Sequence, residues 1–243
     1  MDKPESTPIL EARNLKKFYG KGENAVAALK DVSFAIKPGE FVAILGPSGS
    51  GKSTLLNMLG LMDRPDAGEV LIGGKKALSL SEEARSSLRN EKLGFIFQFD
   101  ALLSDFTIIE NILFPALISS RPRNESYLEV RKRALGLLEH LKLPQIAERY
   151  PSQVSGGERQ RAALCRALIN NPEILLADEP TGNLDKVNGE MVFNDLEGLA
   201  LEKNAAVVLV THNEEAAARA ARVFHMRDGA LVEADSLVKG VMR

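Results

Sequence analysis

The chain has 243 residues, enough for one large domain or one core with an inserted lobe. Hydrophobic residues make up 44% and charged residues 26%, which excludes a wholly disordered or collagen-like chain. The 31 Lys and Arg against 33 Asp and Glu leave a net charge of -2, so no global basic field holds the chain on nucleic acid or acidic lipid.

Cys165 is the one cysteine, so no internal disulfide can form, and a reducing compartment is expected. No apolar run reaches the roughly 18 residues that a membrane-spanning helix needs. Residues 1–8 are polar, carry Pro4 and Pro8, and lack the basic start and apolar stretch of a signal peptide. The expectation is a cytoplasmic protein without direct membrane insertion, held at a membrane, if it works there, by something else.

In chain order, residues 10–18 and 29–36 read as strands with polar residues interleaved, and Phe41–Leu45 is a continuous apolar run followed by glycines. Residues 70–72 run into Gly73 and Gly74. Residues 93–97, 174–177 and 206–210 repeat the short continuous pattern of strands covered on both faces. Helical stretches separate these runs, which points to an α/β domain with a largely parallel sheet. Residues 223–226 and 230–232 flank Asp228-Gly229, a hairpin signal, and with the N-terminal strands predict a small antiparallel sheet beside the parallel core. Between the core strands, residues 101–150 read as an inserted helical lobe, with helices at 107–117 and 125–141 and breaks at Pro115, Pro122, Pro144 and Pro151.

Gly46-Pro47-Ser48-Gly49-Ser50-Gly51-Lys52-Ser53-Thr54 fits G-x-x-x-x-G-K-[ST], placed between a buried strand and a helix beginning near Lys52. The glycines let the backbone curl so that successive N–H groups face phosphate oxygens, and the helix N-terminus adds positive partial charge. Lys52 can then reach the β- and γ-phosphates, and the Ser53 hydroxyl can ligate Mg²⁺. A glycine-rich turn that binds nothing has no need of the Lys-Ser pair.

The run Ile174-Leu175-Leu176-Ala177 ends in Asp178 and Glu179. Asp178 is the candidate for holding Mg²⁺ through water, and Glu179 for orienting a water or accepting its proton. Alone, the pair could equally be a solvated acidic loop. His212 follows the strand at 206–210, on the edge where ligands gather in a parallel sheet, and could contact a γ-phosphate and the attacking water. His140 and His225 read as structural or exposed. Gln98 ends the strand at Phe97, and its amide oxygen could reach the Mg²⁺.

Val154-Ser155-Gly156-Gly157-Glu158-Arg159-Gln160 resembles the LSGGQ signature of ATP-binding-cassette (ABC) ATPases. The other motifs follow that family's order: Tyr19 resembles the aromatic that stacks on adenine, residues 46–54 the P-loop, Gln98 the glutamine loop, Asp178 and Glu179 the Walker B end, Asn183-Leu184-Asp185 the loop that meets a partner subunit, and His212 the switch histidine. The resemblance covers nearly the whole chain. It implies a P-loop NTPase (RecA-like) core with a mostly parallel sheet, an antiparallel β-subdomain and an inserted α-helical subdomain. The implied layout is one ABC ATPase domain over residues 1–243, with residues 9–95 and 165–233 forming the β-subdomain and core and residues 98–160 the helical signature lobe.

The resemblance also implies an enzyme converting ATP and water to ADP and phosphate, with ATP and Mg²⁺ bound by Tyr19, residues 46–54, Gln98, Asp178 and, from a second copy, Ser155, Gly156, Gly157 and Glu158. A Ser-Gly-Gly turn opening a helix over 159–169 is a second helix-terminal anion site, best used by another molecule's nucleotide. The implied assembly is a homodimer of cassettes in the ATP-bound state, each ATP lying between one P-loop and the other signature. Val154 for Leu and Glu158 for Gln are departures that leave Ser155, Gly156 and Gly157 intact. Arg159, Arg161 and Arg166 lie on the signature helix, where solvation, interface contacts or phosphate proximity explains them more simply than nucleic acid. Cys165, among small apolar residues, reads as buried.

The length leaves no room for a second cassette, a long coiled coil or a fused membrane domain, so a subunit serving separate membrane partners is expected. Residues 88–99, continued by Leu102-Leu103-Ser104-Asp105-Phe106-Thr107 and Glu110-Asn111, resemble the segment by which the lipoprotein-releasing (Lol-type) branch of Gram-negative bacteria meets its membrane subunits. Asp100 and Ala101 depart from the paired histidines of that branch, and Ile108 and Ile109 also vary. Phe97, Phe99, Leu102, Leu103 and Phe106 divide between lobe core and a groove for a coupling helix. The resemblance implies two integral LolC/LolE-like partners and a peripheral place on the cytoplasmic face of the inner membrane. A macrolide-exporter-like mechanotransmission ATPase and a cell-division regulatory ATPase share residues 177–185 and stay open as alternatives.

Overall fold

A computed structural model describes residues 7–20, 22, 25–119 and 125–233. Most of the polar N-terminal stretch and the expected break at Pro122 lie outside the described residues. The chain divides into two units, residues 1–80 with 206–243, and residues 81–205.

The first unit begins with β1 (Leu10–Tyr19) and β2 (Val26–Ile36), paired antiparallel. Leu10, Ala12, Leu15, Val32, Phe34 and Ile36 are buried on these strands, so the interleaved polar pattern marks strands with one wet face. β3 (Phe41–Leu45) leads through a glycine loop into α1 (Lys52–Leu59). β4 (Ala67–Ile72) and β5 (Lys75–Lys76) complete a four-stranded sheet in the order β2-β1-β4-β5.

The second unit holds α2 (Glu82–Lys92), β6 (Leu93–Ile96), α3 (Ile108–Leu117), α4 (Tyr127–His140), α5 (Gly156–Leu168), β7 (Ile174–Asp178) and α6 (Lys186–Glu202). β6 and β7 pair in parallel. Capping boxes at Thr107–Glu110 and Ser126–Glu129 start α3 and α4. Pro115 does not break the lobe, as its residue type predicts, but sits inside α3. It lies in the helix's last turn, where it removes one bond of the helix ladder, and its own carbonyl, one of the last four without a partner inside the helix, accepts from the side chains of Asn90 and Asn170. Pro144 and Pro151 open short 3₁₀ turns.

The first unit resumes with β8 (Ala206–Thr211), α7 (Glu214–Ala217), β9 (Arg222–Arg227) and β10 (Ala230–Glu233). β3 lies between β8 and β9 and is parallel to both. Every residue of β8 is buried, as the continuous apolar run requires. The hairpin at Asp228-Gly229 is present, with φ of 49° and 78° at the turn. It joins the parallel strands, however, and not the antiparallel sheet. Local alternation identifies a hairpin, but the partner of β9 is chosen by the burial of Phe224 and Met226 beside β3, a non-local contact.

Small residues let α5 approach β6 closely. Ala162, Ala163, Cys165 and Ala167 are buried, and a Cβ on Gly94 would lie 2.6 Å from the Ala167 carbonyl oxygen and 2.7 Å from Leu175. Burial pushes the Cys165 thiol up to about 12. Replacing Gly94 with Ala is expected to lower stability by about 1–3 kcal/mol, because backbone has to move to admit the methyl group. Urea unfolding of the two proteins tests this; equal midpoints would contradict the close approach.

Candidate active site

In the first unit, the loop from Gly46 to Gly51 connects β3 to α1. The Gly46 amide donates to the Thr211 carbonyl oxygen at the end of β8, 3.4 Å away. A Cβ on Gly46 would lie 2.3 Å from the Met226 carbonyl oxygen of β9, and one on Gly51 2.4 Å from the Ala28 carbonyl oxygen of β2. These two glycines are therefore required by neighbouring backbone. Gly49 has open space around it and is required by its φ of 77°.

The N-cap of α1 is Gly51, which offers no side-chain acceptor. The N-caps of α2 to α7 are Ser81, Thr107, Ser126, Ser155, Asp185 and Asn213, each of which accepts a backbone N–H. The amides opening α1 thus meet no capping side chain, and the helix end presents uncompensated positive partial charge. The Lys52 ammonium is buried and donates to the carbonyl oxygens of Gly46 (2.8 Å) and Pro47 (2.9 Å), which folds it back along the loop. The Ser50 hydroxyl is buried without a hydrogen-bond partner among the described residues. Pro47, Ser48 and Ser53 are exposed, and Thr54 is half-buried. The arrangement is a cradle of donors with few acceptors of its own, the chemistry that fits a phosphate chain.

His212 is exposed and follows Thr211, whose carbonyl holds the loop's first glycine. The structure therefore brings His212 and the loop together through one backbone hydrogen bond. Tyr19, the last residue of β1, is 45% exposed, and its hydroxyl donates to Asp63 at 3.3 Å. Lys17 pairs with Asp63 at 3.0 Å and places its ammonium 5.3 Å from the Tyr19 ring centre. Lys17 and Asp63 gave no signal in the sequence, since Lys17 is a charged residue on a strand and Asp63 lies in a loop 44 positions from Tyr19.

In the second unit, the chain leaves β6 through Phe97 and Gln98, both half-buried. The buried Gln160 side chain donates to the Phe97 carbonyl oxygen (2.7 Å), and the Asn183 side chain to that of Gln98 (3.0 Å). β7 ends at Asp178, and Glu179 adopts a φ of 44°. That left-handed conformation costs a non-glycine residue about 1–2 kcal/mol. It turns the chain so that a Cβ on Gly182 would lie 3.0 Å from the Gln98 amide nitrogen and 3.3 Å from a Glu179 carboxylate oxygen. Gln98 and Glu179 therefore converge on one glycine, although 81 positions separate them in the chain.

The helix after the signature begins at Gly156, not near Arg159, so both glycines lie in its first turn and Ser155 is its N-cap. Ser155 and Glu158 form a capping box. The Ser155 amide and hydroxyl both donate to the Glu158 carboxylate at 2.8 Å, and the Glu158 amide donates to the Ser155 hydroxyl oxygen. A Cβ on Gly157 would lie 2.7 Å from the Asn188 side-chain oxygen, and Asn188 is itself held by Asp185. The signature turn is thus seated against the start of α6. Among the described residues no cluster of three or more His, Cys, Asp or Glu could hold a metal by itself.

Residues 29–182 match the family described as ABC transporter. The chain belongs to the ABC transporter family. It is 45% identical over 224 residues to the lipoprotein-releasing system ATP-binding protein LolD of Paramagnetospirillum magneticum, covering 92% of this chain and 97% of the relative. It is 47% identical to an uncharacterised ABC transporter ATP-binding protein of Methanocaldococcus jannaschii, with coverages of 93% and 98%. A dimeric, post-hydrolysis ATP-binding cassette bound to ADP and Pi superimposes with a TM-score of 0.84 at 42% identity, covering 93% of this chain and 97% of that one. This cassette is accordingly an ATP-hydrolysing subunit with the P-loop NTPase fold.

The two hydrogen bonds from Ser155 hold the Glu158 carboxyl below the usual carboxylate range, the backbone bond contributing most. A carboxyl lowered on folding stabilises fully above its unfolded value of about 4.3, and that stabilisation is lost as the pH falls through the lowered folded value. The Tm advantage of the wild type over Glu158→Gln is therefore expected to shrink as the pH is taken below about 4.3. Thermal melts across that range check it; a gap independent of pH would contradict the cap.

Proposed function

We propose that this cassette drives release of lipoproteins from an inner membrane toward an outer membrane, as a homodimer docked on two integral membrane subunits of LolC/LolE type. The relatives described as LolD, at 45–46% identity over 92–95% of the chain, support the cargo. The observation that carries the membrane-coupled role is the surface directly after Gln98. Phe99 is 72% exposed, and Leu103 and Phe106 are exposed beside it, whereas Phe97 and Leu102 are half-buried. The buried Asn111 side chain holds this loop in shape, accepting from the Leu103 amide and donating to the carbonyl oxygens of Leu103, Phe106 and Thr107. Large apolar side chains fixed on a well-anchored loop suit a helix of a membrane partner, and such docking supports a peripheral place on the cytoplasmic face. No helix among the described residues is long and apolar enough to cross a membrane.

The roles follow from the motifs and from the local geometry of each unit. Residues 46–54 take the phosphates of ATP: Lys52 exchanges its two carbonyl partners for phosphate oxygens, and the Ser50 hydroxyl gains the acceptor it lacks. Tyr19 stacks on the base, oriented by Asp63. Ser53 of the first unit, and Gln98 and, through water, Asp178 of the second, are the residues that would each offer an oxygen to a hard cation such as Mg²⁺. When bound, that cation neutralises charge on the β- and γ-phosphates. Glu179 takes the proton of the attacking water and His212 holds the γ-phosphate. Ser155, Gly156, Gly157 and Glu158 meet the nucleotide of a second copy.

Glu179→Gln is expected to lower turnover by about 10²–10⁴-fold while leaving ATP binding intact, because the general base is lost and the phosphate loop is untouched. Steady-state hydrolysis with a parallel binding titration tests the assignment; unchanged hydrolysis would refute it. Affinity purification of the chain from membranes tests the cargo system. Two co-purifying membrane polypeptides with large periplasmic domains support lipoprotein release, and a single division-type partner would overturn it.

A further inference from the structure

Besides the bond from Asn183 to Gln98, the segment Phe97 to Ala101 is held by side chains of one helix, α5. Gln160 of α5 donates to Phe97, the Nε of Arg159 donates to the Asp100 carboxylate at 2.9 Å, and Arg166 donates to the carbonyl oxygens of Asp100 (2.7 Å) and Ala101 (2.5 Å). Arg159 faces two ways. Its other arm donates to the Val154 carbonyl oxygen at 3.0 Å, the residue directly before Ser155. A single planar guanidinium thus spans the strand end that carries Gln98 and the turn that opens the signature. Its rigid fork fixes the two bonds relative to each other, which a lysine ammonium cannot do. The Asp100 and Arg159 side chains are 24% and 34% exposed, so the pair is partly shielded from water.

We propose that Asp100 is a positioning residue, which through Arg159 sets the signature turn for the nucleotide of a second copy. The inference rests on the reading of Ser155 to Gly157 as the surface that meets that nucleotide. A shift of Gln98 moves Asp100, two residues on, and the guanidinium carries the shift to the Val154 carbonyl and hence to the Ser155 N-cap. The exposed Phe99 lies between Gln98 and Asp100, so a partner pressing on this loop would reach the same ion pair. Gly157, seated on Asn188, gives the turn a fixed surface against which to move.

The test uses the full chain in the Glu179→Gln background, with ATP-dependent dimerisation measured by sedimentation and monomer nucleotide affinity by titration with a fluorescent ATP analogue. Breaking one such pair is expected to weaken association by about two- to fivefold, and a symmetric dimer breaks two, so Asp100→Asn is expected to raise the dimer dissociation constant by about 4- to 25-fold. Monomer nucleotide affinity should stay within about twofold of the parent, since residues 46–54 are unaltered. Arg159→Gln should behave alike, and the double variant should be no worse than the poorer single one. Asp100→Glu, which keeps the charge, should recover most of the dimerisation, and this separates the ion pair from a general folding defect. Parent-like dimerisation by Asp100→Asn, an equal loss of nucleotide affinity, or losses that add in the double variant would each overturn the proposal. A parent that stays monomeric with ATP would instead sink the composite pocket on which the proposal rests.

Discussion

The amides that open an α-helix need acceptors, and α1 begins at a glycine that supplies none. The other α-helices of the described chain solve this with a Ser, Thr, Asp or Asn. At α1, close backbone approach excludes such a residue: a side chain at position 51 would run into the Ala28 carbonyl, and one at position 46 into that of Met226. The donors are left facing a space that an anion completes, with Lys52 stored nearby on two carbonyl oxygens. Phosphate binding is thus a consequence of how β2, β3 and β9 crowd the loop, and the Lys-Ser pair directs it to nucleotide phosphates.

The signature helix shows the opposite solution. Its first turn is closed by the chain's own Glu158 carboxylate, bound by the Ser155 amide and hydroxyl. This capping box fixes the turn before any phosphate arrives, so the surface proposed to meet a second copy is ordered beforehand. Its flanks are held by Asn188 beneath Gly157 and by Arg159 between Val154 and Asp100. Ordering of this kind lowers the entropy lost on association.

Much of the architecture was readable because it is local. The continuous apolar runs became β3, β6, β7 and β8, the glycine punctuation marked the phosphate loop, and Asp228-Gly229 marked a hairpin. What escaped is non-local. The pairing of β9 with β3, the tie of Tyr19 to Asp63, and the clasp of Asp100 by Arg159 each join residues far apart in the chain. No periodicity encodes such pairs. Pro115 follows the same rule, since the side chains that hold its carbonyl, Asn90 and Asn170, come from distant parts of the chain. The left-handed Glu179 carries no composition signal at all; the turn toward Gly182 imposes it, and such strain persists only where the surroundings hold it.

The central claim is that two copies complete each other's pockets, one giving Lys52 and the other Ser155. Mixing a Lys52→Ala chain with a Ser155→Arg chain and measuring ATP hydrolysis tests it directly. Each variant alone has no intact pocket, whereas the mixed dimer has one, built from the unaltered Lys52 of one copy and the unaltered Ser155 of the other. The account predicts hydrolysis in the mixture well above the sum of the two separate chains. A mixture no more active than that sum would contradict it.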